Sequence, residues 1–213
     1  MSRYTGPSCK RCRKKGAKMF LKGSKCTTNC VVDREKAAEK GRKFGGGGKF
    51  QPKLSDYGKH LKEKQIARYT AQVNEAQFRR FFAKASKEKG QTGTALLRLL
   101  ETRLDNIVRR LGFAASLKAA RQLVNHGHVK LNHRTVTIPS CLVKPGDSVA
   151  VSQKTAETPL VKMGLESADK ANSRPSFLAY DPASLTGKLL RWPDRAEMSI
   201  NVDDQLIVEF YSK

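Results

Sequence analysis

Acidic residues are scarce in this chain: 19 Asp and Glu stand against 42 Lys and Arg in 213 residues, a formal net charge of +23. Where the basic residues cluster, that scarcity leaves no credible acid–base pair, and no Ser/His/Asp arrangement stands in for one. Long apolar runs are missing too. None approaches the ~20 residues that a bilayer-spanning helix needs, and no strongly amphipathic basic helix suggests a membrane surface. The opening Met1-Ser2-Arg3-Tyr4-Thr5-Gly6-Pro7 lacks the apolar stretch of a secretory signal. A cytoplasmic protein is expected, with no membrane partner and no small-molecule substrate. Hydrophobic residues make up 38% of the chain, which suits small cores better than one large one.

What is present is positive charge, unevenly spread. Residues 1–50 hold 15 basic and 3 acidic residues, whereas residues 151–213 hold 8 and 9. Self-repulsion on that scale implies a polyanionic partner. The first three quarters of the chain should face phosphate, leaving the last quarter for protein or solvent.

Four of the five cysteines, Cys9, Cys12, Cys26 and Cys30, are spaced C-x2-C-x13-C-x3-C. Two close pairs joined by a short loop suit a tetrahedral thiolate shell around Zn²⁺. Nearby Lys and Arg offset its negative charge, and so short and polar a segment needs a staple to fold. Structural zinc is favoured over free thiols or an iron–sulfur cluster. Cys141 reads as a small buried hydrophobe. His126, His128 and His133 fit no metal spacing. The run Gly45-Gly46-Gly47-Gly48 is not a phosphate loop, because Phe50 follows Lys49 where Ser or Thr is required.

The periodicity predicts an α+β protein. Ser55 caps a basic helix, and Asn74 with Gln77 starts another whose Phe78, Phe81, Phe82 and Ala85 form a core stripe. Thr94 is expected to cap one long helix ending at Gly112. Ser116 caps a shorter one ending at Gly127. The period then becomes 2 over Val129–Leu131, Arg134–Ile138 and Ser148–Val151, which predicts a small antiparallel sheet under the two helices. Residues 160–182 read as partly irregular, and Ile200 and Leu206–Tyr211 as closing strands.

Charge and placement select candidate RNA contacts. They are Arg3, Lys10, Arg11, Arg13 and Lys14 in the arm, and Lys59, Lys62, Lys64 and Arg68 on the first basic helix. Lys118, Arg121, Asn125, His126, Lys130, Asn132 and Arg134 follow on the helix and hairpin of the small module. A helix and turn presenting Arg, Lys and Asn can read the backbone shape of folded RNA. Arg109 and Arg110 either extend that surface or cap helix carbonyls.

Three stretches then resemble a known family. They are Leu104-Asp105-Asn106-Ile107-Val108-Arg109-Arg110-Leu111-Gly112-Phe113, Ala119-Ala120-Arg121-Gln122-Leu123-Val124-Asn125-His126-Gly127-His128-Val129 and Val143-Lys144-Pro145-Gly146-Asp147. With Leu54–Gln65, Tyr4–Pro7 and the closing Gln205–Lys213, they are similar in order to the bacterial ribosomal small-subunit protein four family. The resemblance implies a non-enzymatic primary binder of 16S rRNA that nucleates assembly of the 5′ domain. It also implies contact with small-subunit protein five and other small-subunit proteins, and a part in translational accuracy.

On this reading residues 1–53 are a zinc-stapled basic arm with a Gly-rich linker, and residues 54–100 a helical rRNA-binding region. Residues 101–165 are an inserted module of two helices on an antiparallel sheet, and residues 166–213 a C-terminal segment packing on the helical region. Two rivals fit less well. An RNA-modifying enzyme with the same module would need a catalytic domain, for which residues 152–213 are too few. A zinc-containing DNA regulator would need a reading helix and usually a dimer interface, and neither is visible.

Overall fold

The computed structural model describes residues 4–41, 54–170 and 173–212. The glycine run 45–48 and Arg3 therefore lie outside the described residues. The helices are α1 (Ser8–Lys15), α2 (Lys25–Thr28), α3 (Val31–Gly41), α4 (Asp56–Thr70), α5 (Glu75–Ala85), α6 (Thr92–Glu101), α7 (Leu104–Arg110), α8 (Leu117–Asn125), α9 (Gln153–Ala156), α10 (Pro159–Lys170) and α11 (Asp204–Ser212). The strands are β1 (Val129–Leu131), β2 (Arg134–Thr135), β3 (Ser148–Val151), β4 (Leu178–Asp181) and β5 (Thr186–Leu189). The chain forms two compact units, residues 1–78 with 201–213, and residues 79–200.

In the first unit, Ser55 caps α4 by accepting from the Gly58 N–H at 3.2 Å, as its sequence position predicts. Asn74 likewise accepts from the Gln77 N–H at 2.8 Å and starts α5. The tail of the chain returns to pack on α4, but as helix α11 rather than as a strand. Its β-branched run favours extended chain, yet Asp203 turns it by accepting from the Gln205 N–H at 3.0 Å. Helical spacing then lets Ile207, Phe210 and Tyr211 share one face. Ile207 is fully buried, Phe210 meets Tyr57 at 5.7 Å, and Tyr211 stacks on Phe78 at 6.2 Å. A strand would have sent alternate residues away from that face.

The second unit packs α7 and α8 on a five-stranded antiparallel sheet ordered β2-β1-β3-β5-β4. Its core joins Leu104, Ile107 and Val108 of α7 and Leu111 just after it to Val124 of α8 and to Val129, Val149, Leu178 and Leu189 of the sheet. The segment expected to be irregular forms α10 and β4. Residues 178–189 supply two strands, β5 pairing with β3 as Val149 opposite Gly187. A side chain at Gly187 would start 2.3 Å from Leu111, so glycine is what lets α7 lie close on the sheet.

The long helix expected from Thr94 to Gly112 is two helices, α6 and α7. Arg103 is extended, with φ −65° and ψ 142°, and bridges to Leu142. The freed backbone groups find partners in the passing chain: Leu104 N–H donates to the Cys141 carbonyl at 2.8 Å and Val143 N–H to that of Thr102 at 2.9 Å. Long-range pairing therefore replaces one turn of helix. Thr94 bonds the Gln91 side chain instead of capping. Cys141 is half-buried rather than buried. Gly112, at φ +94°, closes α7 in the left-handed conformation that glycine adopts most readily.

Candidate nucleic-acid interface

Helices α1 and α4 bring a group of cations together in the first unit. Arg11 lies between Tyr4 and Tyr69, 3.7 and 4.4 Å from their ring centres. Burial lowers the Lys15 pKa, and the neighbouring charges of Lys14, Lys62 and Arg68 act in the same direction, against Tyr69. Burial likewise lowers that of Arg11, with Arg68 among the contributing charges. Crowded cations of this kind, held half-buried beside tyrosine rings, form a site where an anion relieves repulsion. Lys10, Arg13 and Lys14 are exposed on α1, and Lys59 is exposed on α4. Arg13 pairs with Glu35 at 2.6 Å and Lys59 with Asp56 at 2.8 Å, both in solvent, where such pairs hold weakly.

Lys64 sits differently. It is 5% exposed, donates to Glu75 at 3.0 Å and lies 4.3 Å from the Phe210 ring centre. Arg68 donates to the other oxygen of Glu75 at 2.8 Å, and the Tyr211 hydroxyl adds a third bond at 2.9 Å. One carboxylate thus ties α4, α5 and α11. Burial alone would raise the Glu75 pKa, but the bonds from Lys64 and Tyr211 and the charges of Lys64 and Arg68 bring it below the ordinary value.

In the second unit the candidates divide in the same way. Asn125, His126, Lys130 and Arg134 are exposed and Lys118 is half-buried. The hairpin turn places Asn132 and His133 at φ +48° and +67°, the left-handed pair of a two-residue loop. Asn132 is an architectural residue: its amide donates to Asp147 at 2.7 Å and accepts from the Ser148 N–H at 2.9 Å. Arg121 is buried, 3.7 Å from Asp105, which Arg103 clasps with two bonds of 3.0 and 2.7 Å. Arg109 donates to Asn106 at 3.2 and 3.0 Å, and Arg110 donates to Glu101 and to the Glu197 carbonyl, both at 2.7 Å. Both guanidinium groups are engaged inside the protein.

Other exposed cations escaped sequence reasoning. Arg79, Arg80 and Lys84 project from α5 away from the buried Phe78 and Ala85. The same apolar stripe that identified the core implied this opposite face. Lys15 escaped too, because its neighbours come from another helix.

The four arm cysteines line one small cavity with Lys18, Leu21 and Val32. Cys12 and Cys26 are buried, and Cys9 and Cys30 half-buried. The Lys22 N–H donates to Cys26 Sγ at 3.3 Å. Burial pushes the Cys12 thiol up; a backbone bond from Met19 opposes that, and Cys26, Cys9 and Cys30 add to it. Among the described residues no group of three or more His, Cys, Asp or Glu is arranged to hold a metal ion. Cys9, Cys12, Cys26 and Cys30 converge as a cluster of thiols.

A protein with cationic surfaces on two small units, the buried acids of each engaged by cations of the same unit, belongs to the class of structural RNA-binding proteins. Residues 3–101 match the family described as ribosomal protein S4/S9 N-terminal domain, and residues 102–149 match the S4 domain. Small ribosomal subunit protein uS4 of Acetivibrio thermocellus is 46% identical over 214 residues, with 100% of both chains covered. The proteins of that name from Natranaerobius thermophilus and Thermus thermophilus are 47% and 44% identical, again with 100% of both chains covered. The chain belongs to the uS4 family of small-subunit ribosomal proteins.

Replacing Glu75 with Gln should destabilise the protein by about 1–2 kcal/mol at neutral pH, below the full value for a buried pair because a third of that side chain meets solvent. The folded-state pKa lies below the ordinary 4.5. The carboxylate's contribution is therefore present above that value and lost as pH falls through the folded one. Urea unfolding should show the two proteins converging in acid; an equal gap at pH 7 and pH 3 contradicts the account.

Proposed function

We propose that this chain is a structural constituent of the small ribosomal subunit and a primary binder of 16S rRNA, nucleating assembly of the 5′ domain. The observation that carries this is the contrast between buried, neutralised cations and outward ones. Lys64, Arg103 and Arg121 are held by carboxylates inside. Lys10, Lys14, Arg79, Arg80, Lys130 and Arg134 are exposed, on surfaces fixed by helix and hairpin. Fixed cations at set spacings suit a folded RNA, whose phosphates are also fixed, better than a flexible polyanion. The family supports the same reading, through its name and its S4 domain. Contact with small-subunit protein five, and through it a share in translational accuracy, is part of the proposal by that resemblance.

The arm is proposed to hold one structural Zn²⁺ through Cys9, Cys12, Cys26 and Cys30. The donor set supports it: four thiols share one cavity, the Lys22 N–H already donates to one sulfur, and Lys18 lies beside them. Bound zinc would supply cross-linking between α1 and the Cys26–Cys30 segment, with no chemistry of its own.

Two measurements test these readings. In filter binding, 16S 5′-domain RNA should outcompete a scrambled duplex of equal length by at least about a thousandfold, the low end of specificity ratios for nucleic-acid recognition. Equal affinity for the two sinks the specific claim. Native mass spectrometry before and after chelation should show the loss of one zinc mass, whereas an unchanged mass leaves the cysteines as free thiols.

A further inference from the structure

Trp192 is the sole tryptophan of the chain, and it stands 41% exposed on the segment that follows β5. Arg191 clamps that segment. Its guanidinium donates to the Trp192 carbonyl at 3.2 Å, to Asp194 at 3.0 Å and to the Ser176 hydroxyl at 3.1 Å. It also grips both carboxylate oxygens of Glu197, each at 2.8 Å. Pro193, which is buried, restricts the backbone just after the ring. The clamp fixes the chain on both sides of the indole yet leaves the ring in solvent. A large, rigid aromatic held outward in this way is a contact surface.

The charge around the ring indicates what it contacts. Arg98 lies over the indole, 5.5 Å from its ring centre, and is held there by Glu88. Lys87 and Lys89, on either side of Glu88 in the chain, are exposed and have no ion pair among the described residues. The acids of the same region are engaged, Glu88 by Arg98, and Asp194 and Glu197 by Arg191. Leu190 is an exposed aliphatic neighbour in the chain, far short of the area a protein interface buries. A nucleobase matches both features of the site. Its flat face stacks on an indole backed by a guanidinium, and its phosphates bring negative charge to the lysines.

We infer that Trp192 is a stacking platform for one unpaired nucleobase of the bound RNA. The inference rests on the 16S rRNA reading above and adds a base contact to its phosphate contacts. Phosphate contacts set position, whereas a stacked base requires an unpaired nucleotide at one place in the RNA. Trp192 thereby helps to tell a folded junction from plain duplex.

With no second tryptophan present, the indole emission of the unaltered full-length protein reads Trp192 directly. Saturating 16S 5′-domain RNA should quench most of that emission and shield it from acrylamide, while a fully paired duplex bound at low salt should do neither. Filter binding of the same RNA is read separately: failure to bind removes the 16S reading, and this inference falls with it. Binding with unchanged emission, or equal quenching by the duplex, overturns the inference alone and leaves the ring as a surface for a protein. Trp192→Ala and Trp192→Leu should each weaken 5′-domain binding by about five- to a hundredfold, the range for loss of a base-stacking aromatic. Trp192→Phe should restore most of it. Leucine keeps apolar bulk without a flat ring, so a Trp192→Leu protein that binds as tightly as the unaltered chain also overturns the inference.

Discussion

Three carboxylates inside a strongly cationic chain carry the architecture. Glu101 is fully buried and accepts from Arg110 at 2.7 Å and from the Ser199 hydroxyl at 2.8 Å, tying residue 199 to the end of α6. Asp105 binds Arg103 with two hydrogen bonds and faces Arg121, holding the junction of α6 and α7 beside α8. Glu75 does the same for α4, α5 and α11. An arginine or lysine buried without such a partner would be strongly destabilising. Removing any of the three acids would therefore leave buried cations exposed to each other's charge.

This arrangement separates two populations of cations that look alike in the sequence. One is neutralised within the fold, and the other projects outward with its repulsion unrelieved. The crowding of Lys14, Lys15 and Lys62 around α1 and α4 is the sharpest instance. Their crowding carries a cost in electrostatic energy that an RNA phosphate would offset. Affinity and fold are thus linked: the acids define which positive charges remain available.

Much of this was legible in the sequence because it is local. The caps Ser55, Asn74 and Ser116, the Phe78–Ala85 stripe and the strands starting at Val129 and Ser148 follow from short-range spacing, and the structure contains them. The break at Arg103 was not legible, since its cause is pairing with residues 139–143, far along the chain. Helix α11 was missed for a related reason: its β-branched composition favours a strand, but packing on α4 decides otherwise. Which cations are neutralised is also a tertiary fact. Lys64 and Lys62 are indistinguishable as letters two positions apart, yet only Lys64 faces Glu75. The four-cysteine spacing suggested a set of metal ligands, and Cys9, Cys12, Cys26 and Cys30 do line one cavity.

The central claim is that outward, unpaired cations bind RNA phosphates together. It is tested most directly by the salt dependence of binding to 16S 5′-domain RNA. If several phosphates are neutralised, the logarithm of the association constant should fall against the logarithm of salt concentration with a slope steeper than about −3, at roughly −0.7 to −0.9 per phosphate. A slope near zero would contradict the account, because binding would then not depend on the exposed cations that the buried acids leave free.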